Sequence, residues 1–474
     1  MKKKIFSVLI MCFIAFSLVL TGCKDRGLKD NPATEAQTIS NGGMSVVKGD
    51  YLYFVNGYVD ETTIDTTTEF KKYKEGKVTR GAIYRTKLED SEICKDKDGF
   101  LESDKTDLVV SRVVGFSNGG FFIIDDTIYY ATPYMMLDKD GTALTDRVEF
   151  RSININGDTK TDKQVYVTET HMDDLDWTMY KVDGKVYLLV YCNSHIYSVD
   201  TSNGDVVADI KSPSTYAFYH EDNYSTGKDR SADRYRYVYY TRSVATEDGI
   251  SANFSGNVIC AFDVTNGKTT TALNKVNNDT IDIVCAEDYY IYYTRTDSTS
   301  LKKLYRHDTR EAWKNDNLQD MTGGIAYTSY TPCPFGDYVI ASNDNGTYVV
   351  SGENATLVTT DSITLLNIYG GYAYYLNSEV LHRFQISNPS NDEIVVSDDK
   401  TVKTTSSALL DFDGQRLYVF AVYNTDYYYM DYIDETSLKE RFVGVFADGE
   451  TPEAPEQTEG YGEDPDIEYI PHID

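Results

Sequence analysis

Two segments share the spacing Asp-Lys-Asp-Gly-x4-Asp: Asp96, Asp98, Gly99 and Asp104, and Asp138, Asp140, Gly141 and Asp146. Alternating carboxylates around a glycine are what a calcium loop uses, because a hard cation collects oxygens and the glycine permits the sharp turn. Cys94 or Met136 would occupy the first ligand position, however, and no glutamate closes either loop, so both read as Asp-Gly turns and no metal is expected. A second cluster, His171-Met172-Asp173-Asp174-Leu175-Asp176-Trp177, combines an imidazole, carboxylates that accept from hydroxyls and an indole that stacks on sugar faces. A third, Tyr423 to Tyr432, is denser in tyrosine than packing alone accounts for. Amphipathic rings of this kind suit recognition surfaces. The candidate ligand-contacting rings are therefore Tyr423, Tyr427, Tyr428, Tyr429 and Trp177. No catalytic residue can be assigned: His195, His220, His307, His382 and His472 are scattered, none lies in His-Glu-x-x-His, and 75 acidic residues hide any one carboxylate pair. Phosphate-binding glycine loops are absent as well, and no cofactor is expected.

The chain opens Met1-Lys2-Lys3-Lys4, continues apolar from Ile5 to Leu20 and reaches Leu20-Thr21-Gly22-Cys23. The charged start and short apolar run are those of a secretory leader. The last four residues resemble a bacterial lipobox, a resemblance that implies cleavage before Cys23 and lipid on its sulfur. Two or three acyl chains would hold the protein at a membrane on its extracytoplasmic side. Loss of Lys2, Lys3 and Lys4 takes the formal charge from −30 to −33, which disfavours nucleic acid and anionic headgroups as partners. Residues 1–22 thus read as leader, 23–44 as a flexible tether and 449–474, acidic and without Lys or Arg, as a disordered tail. Of seven cysteines, Cys12 leaves with the leader and Cys23 carries lipid. No Cys-x-x-Cys occurs among the rest; Cys260 and Cys285 could bridge neighbouring strands or stay buried thiols.

Between these ends, residues 45–448 repeat one phrase: a Gly or Asp turn followed by a strand with tyrosines at its middle. It occurs at 49–55, 125–130, 183–189, 235–241, 287–294, 336–340, 370–376 and 413–420. A second strand phrase follows several copies, as in Ile83-Tyr84-Arg85, Tyr197-Ser198-Val199-Asp200 and Leu304-Tyr305-Arg306. Asn156-Gly157, Asn203-Gly204 and Asn266-Gly267 come next, expected as type I′ hairpin turns. The 41 tyrosines, with Val, Ile and Thr, favour strands throughout; one helical turn or two is expected at Thr309 to Gln319. A lone meander leaves its faces and edges open, whereas a ring of meanders covers both. The expected fold is all-β, a propeller of seven or eight four-stranded blades, with eight preferred. Long polar stretches, Thr62 to Lys105 and Tyr219 to Arg234, are expected as loops on one face of the ring.

The paired phrases, Asp183-Gly184 with Val186-Tyr187 and Tyr292-Tyr293 with Leu304-Tyr305-Arg306, resemble a family of bacterial propeller lipoproteins and surface proteins of unassigned function. Tyr197-Ser198-Val199-Asp200 and Ala261-Phe262-Asp263-Val264-Thr265-Asn266-Gly267-Lys268 look similar to quinoprotein-type repeats, but the regular tryptophan of those repeats is missing, the chain having only Trp177 and Trp313, so quinone binding is not implied. The resulting expectation is a membrane-anchored, non-enzymatic module that binds a protein or a cell-envelope glycan. A polysaccharide hydrolase or lyase is the alternative.

Overall fold

The computed structural model describes residues 45–56, 81–87, 106–112, 114, 120–134, 147–168, 175–219, 236–245, 254–273, 279–287, 290–311, 319–322, 327–333, 337–369, 371–377 and 380–395, together with the strand backbone of 410–412, 416–424, 427–434 and 439–443. The leader, the tether, both Asp-Lys-Asp-Gly segments, His171 to Asp174, most of Thr309 to Gln319 and the acidic tail lie outside these residues.

Every repeated phrase forms a second strand. Among the described residues the chain makes eight four-stranded antiparallel sheets, each from four consecutive strands, spanning 45–110, 121–167, 176–211, 216–273, 280–320, 329–359, 364–394 and 410–443. They are called sheets 1 to 8 below. First strands of sheets 1 and 2, 4 and 5, 5 and 6, and 1 and 8 lie side by side. Consecutive meanders joined along their first strands make a β-propeller, and no α-helix occurs among the described residues.

Position in the sheet explains the composition. Second strands are covered on both faces: all five residues of Tyr51–Val55 are buried, as are the middle four of Tyr372–Asn377. Strands buried on both sides read as apolar runs, which is why the tyrosine phrases are continuous and not alternating. Several fourth strands face solvent, and Asn354–Thr359 has no buried residue, whereas in sheet 1 Thr106, Val109 and Val110 of the fourth strand are buried.

The link between neighbouring sheets is the turn between third and fourth strands. Gly157 of sheet 2 sits against the fourth strand of sheet 1, and a Cβ there would stand 2.6 Å from the Val109 carbonyl oxygen. Gly204 of sheet 3 meets Val165 of sheet 2 at 2.9 Å in the same way, and Gly267 of sheet 4 meets Val207 of sheet 3 at 2.8 Å. Only a residue without a side chain permits this approach. The turns are not the expected type I′. Each glycine has positive φ (69°, 78° and 69°), but Asn156, Asn203 and Asn266 do not. The reason lies in the preceding Asp. In sheet 3, Asp200 Oδ1 accepts from the Ser202 amide at 3.0 Å and hydroxyl at 2.6 Å, and the Gly204 amide donates to the Asp200 carbonyl at 2.8 Å. Asp263, Thr265 and Gly267 repeat that arrangement in sheet 4. This side-chain anchoring bends the first residues into ordinary turn geometry and leaves one left-handed position for glycine. Type I′-like pairs of positive φ occur instead at Asp183-Gly184 and Asn193-Ser194.

Polar contacts add to the docking. Ser198 Oγ of sheet 3 donates to the Val264 carbonyl of sheet 4 at 2.7 Å, and Tyr53 of sheet 1 donates to the Ile155 carbonyl of sheet 2 at 3.2 Å. In sheets 1, 5 and 7 an arginine of the third strand lies over a tyrosine of the second: Arg85 over Tyr51 at 4.4 Å, Arg306 over Tyr290 at 4.6 Å and Arg383 over Tyr372 at 4.3 Å. Each also meets a carboxylate, Asp107, Asp337 and Glu393 respectively. Cys192, Cys260, Cys285 and Cys333 are free thiols, so Cys260 and Cys285 are not bridged.

Two expectations follow. Gly204→Ala and Gly267→Ala should each destabilise by about 2–4 kcal/mol, combining the left-handed backbone cost with displacement of a carbonyl. Gly352→Ala, at φ 58° with open space around it, should lose only the backbone part; equilibrium urea unfolding compares the three. The second concerns acid. Burial pushes the carboxyls of Asp200 and Asp263 up, but the Ser202 and Thr265 donors, with Lys185 and Arg236 alongside, hold both below the usual carboxylate range. A depressed folded value stabilises above the unfolded value of roughly 3.9 and is lost as pH falls through the folded one. Urea midpoints should drop below about pH 4, and less steeply in Asp263→Asn.

Candidate functional site

Ion pairs locate the two rims of the propeller. Lys181 of sheet 3 meets Asp125, in the first-to-second-strand turn of sheet 2, at 2.7 Å, and Arg236 of sheet 4 meets Asp183 of the same turn in sheet 3 at 3.0 Å. These turns therefore share one rim, and the second-to-third-strand connections occupy the other. Of the two long polar stretches, Thr62 to Lys105 and Tyr219 to Arg234, only residues 81–87 and Tyr219 are described, and Ile83–Lys87 is the third strand of sheet 1.

On the second rim, sheet 5 carries an open cleft of about 490 Å³. Three elements build it. Asp279 precedes the first strand (Thr280–Glu287), Arg295 ends the second (Tyr290–Thr296), and Lys303 and Tyr305 begin the third (Lys302–Asp308). Asp297, Ser298 and Leu301 come from the connection between the last two. Antiparallel pairing places Ile281 opposite Arg295 and Arg295 opposite Lys303, which brings the charged groups to one end of the sheet.

Each cation is held by an acid. Arg295 Nε and Nη2 donate to Asp279 Oδ2 at 3.1 and 2.7 Å, and the guanidinium lies 5.2 Å from the Tyr305 ring centre. The other neighbour of that ring is Tyr293, at 6.0 Å and 27°. Lys303 Nζ meets Asp320 Oδ2 at 3.2 Å. Asp297 Oδ1 accepts from the Thr299 hydroxyl and amide at 2.6 and 2.8 Å and from the Leu301 amide at 3.1 Å, and these donors keep its carboxyl below the usual range. The cleft is thus a fixed set of hydrogen-bonding groups. Ser298 has no histidine beside it, and among the described residues no cluster suited to a metal occurs.

Histidine and carboxylate do meet elsewhere. His195 Nδ1 lies 2.7 Å from Asp209, and His382 Nδ1 lies 3.0 Å from Asp392, which also accepts from the Tyr375 hydroxyl at 2.8 Å. Both pairs bridge third and fourth strands at the outer side of their sheets.

Trp177, read above as a ligand-contacting ring, is only 4% exposed and packs edge-on against Phe122 at 4.8 Å and Phe150 at 5.2 Å. It is a core residue between sheets 2 and 3, because it sits at the covered position of a first strand, Asp176–Val182. Tyr423 is the next-to-last residue of the second strand of sheet 8 (Arg416–Asn424), and Tyr427, Tyr428 and Tyr429 begin the third (Tyr427–Asp434), with Tyr428 opposite Val422 and Tyr429 opposite Ala421. Cys23 lies outside the described residues.

No family model matches the chain, and no curated protein does either. The resemblance to propeller lipoproteins therefore rests on the short phrases alone. Among solved structures, the β-propeller domain of the trilobed protease from Pyrococcus furiosus is similar over 86% of this chain and 98% of that domain, at 10% identity and a TM-score of 0.39. A puromycin-hydrolysing peptidase of Mycobacterium tuberculosis matches at 10% identity, TM-score 0.40, over 68% of this chain. Oligopeptidase B from Leishmania major matches at 8% and 0.43, also over 68%. The chain spans about half the length of these two enzymes, 52% and 47%. At such values the fold statement stands on the strand order alone.

If Trp177 is structural, Trp177→Ala should cost about 3–5 kcal/mol of stability, read as a lowered urea midpoint.

Proposed function

We propose that the chain is a lipid-anchored, extracytoplasmic binding module, a closed ring of eight blades that presents a rim to a protein or a cell-envelope glycan. The supporting observation is the sheet-5 cleft, where both cations are held by acids and no histidine stands among the lining residues beside the Ser298 hydroxyl. Such a site holds a ligand and does not cut one. Closure of the ring is favoured by the first strand of sheet 1 lying against that of sheet 8. Eight consecutive sheets of equal strand number favour eight blades over seven. The anchor comes from the lipobox-like Leu20-Thr21-Gly22-Cys23, and the formal charge of −33 after its cleavage keeps the body off anionic headgroups.

Produced in a bacterial host with labelled palmitate, the chain should carry label and sediment with membranes. Cys23→Ala should be unlabelled and should no longer resist extraction by washing with salt and carbonate. A Cys23→Ala protein that keeps its label would remove the anchor. Absence of any envelope glycan or protein in affinity captures with the lipidated chain would remove the binding role.

A further inference from the structure

We infer that the sheet-5 cleft is a saccharide subsite selective for uncharged sugars; the inference rests on the binding-module reading and narrows its glycan arm. Charge is the first argument. Arg295 is committed to Asp279 through two bonds and Lys303 to Asp320, so neither cation is available for an anion. Asp297 adds a further negative charge at the rim, in a chain of net charge −30. A uronic acid or a phosphosugar entering here would meet cations already paired with acids and the Asp297 carboxylate, and would be repelled.

Hydrogen-bonding capacity is the second. The donors that saturate Asp279 all use Oδ2, and those on Asp297 all use Oδ1. One oxygen of each carboxylate is left to accept from a ligand hydroxyl. Among the described residues the Ser298 and Tyr305 hydroxyls, which line the cleft, make no hydrogen bond to the protein. Acceptors and donors thus converge on one space, and their carriers are already held in place, which spares the ordering cost of binding. A ligand dense in hydroxyl groups satisfies both kinds at once, because each hydroxyl donates and accepts.

Shape is the third. A volume of about 490 Å³ falls within the range of small-molecule sites, roughly 300–1,000 Å³, and admits a mono- or disaccharide. Arg295 and Tyr293 already lie against the Tyr305 ring, so its hydroxyl is the group taken to meet a sugar. Affinity then comes from hydrogen bonds alone, and a single subsite should bind on the order of millimolar. Tight attachment would require several contacts along one polysaccharide chain.

The test uses the full lipidated chain in a detergent that contains no sugar. Lactose, cellobiose and chitobiose serve as neutral probes and digalacturonate as the acidic one, followed by saturation-transfer NMR and calorimetry. At least one neutral disaccharide should bind and digalacturonate should not. Tyr305→Phe and Ser298→Ala should each weaken that binding two- to tenfold with unchanged melting. Asp279→Asn releases the Arg295 charge and should shift preference toward digalacturonate by tenfold or more. Neutral binding that is unaltered in all three variants would overturn the subsite and leave the binding module standing. Failure of every neutral probe, with a protein partner captured instead, would overturn the saccharide inference alone. Failure of the probes with no partner captured would overturn both.

Discussion

Close approach of a glycine turn to the outer strand of the preceding sheet is the constraint on which the packing of sheets 1 to 4 depends. A four-stranded meander has two apolar faces and can cover neither by itself. Covering them requires that neighbouring sheets stay at one separation from first strand to fourth, although sheets in a ring fan outward. The first strands touch directly. Near the outside, the gap is closed by the turn between third and fourth strands, which leans back until its glycine meets Val109, Val165 or Val207. A bulky indole would fill such a gap by volume. Here the backbone fills it, which is why a chain with only two tryptophans can still pack sheet on sheet.

The same turn links packing to charge. Asp200 and Asp263 organise it through hydroxyl and amide donors, and their second oxygens take Lys185 at 3.1 Å and Arg236 at 2.9 Å. Arg236 then continues to Asp183 in the neighbouring sheet. Acidic residues outnumber basic ones by 75 to 45, so many carboxylates have no cation of their own. Those that do sit where a turn or a sheet junction needs fixing. Arg85 and Arg383, almost wholly buried, combine an aromatic face, a tyrosine hydroxyl and a carboxylate, at 3.3 and 3.4 Å for the hydroxyls. A guanidinium removed from water requires that several partners share it.

Second strands were fully legible in the sequence, because burial on both faces turns them into uninterrupted apolar runs headed by a turn. Glycines 157, 204 and 267 were also legible as turns, but their conformation was not: Asn-Gly suggested type I′, and the deciding contact came from an Asp three residues before each Asn in sheets 3 and 4. Trp177 was misread for a related reason. Its neighbours His171, Asp173, Asp174 and Asp176 made the segment look exposed. Strand alternation nevertheless turns Trp177 inward, next to an Asp176 that accepts from Tyr216 at 3.1 Å. The cleft was illegible because its parts are 26 residues apart in sequence, from Asp279 to Tyr305, and meet only through the register of three strands.

That register also explains why binding chemistry is placed where it is. Tyr293 and Arg295 are alternate residues of one second strand and project to the same side, onto the Tyr305 ring of the third. Moving outward along the strand, the side-chain contacts pass from aromatic packing to a guanidinium and then to the carboxylate of Asp297. The core therefore grades into the cleft without a flexible segment between them. A site anchored in this way inherits the rigidity of the sheet junction, and its hydrogen-bonding groups cannot rearrange to suit a different charge. On the saccharide inference, selectivity against anions would follow from packing: to free Arg295 or Lys303 for an anion, the ligand would have to break its ion pair with Asp279 or Asp320.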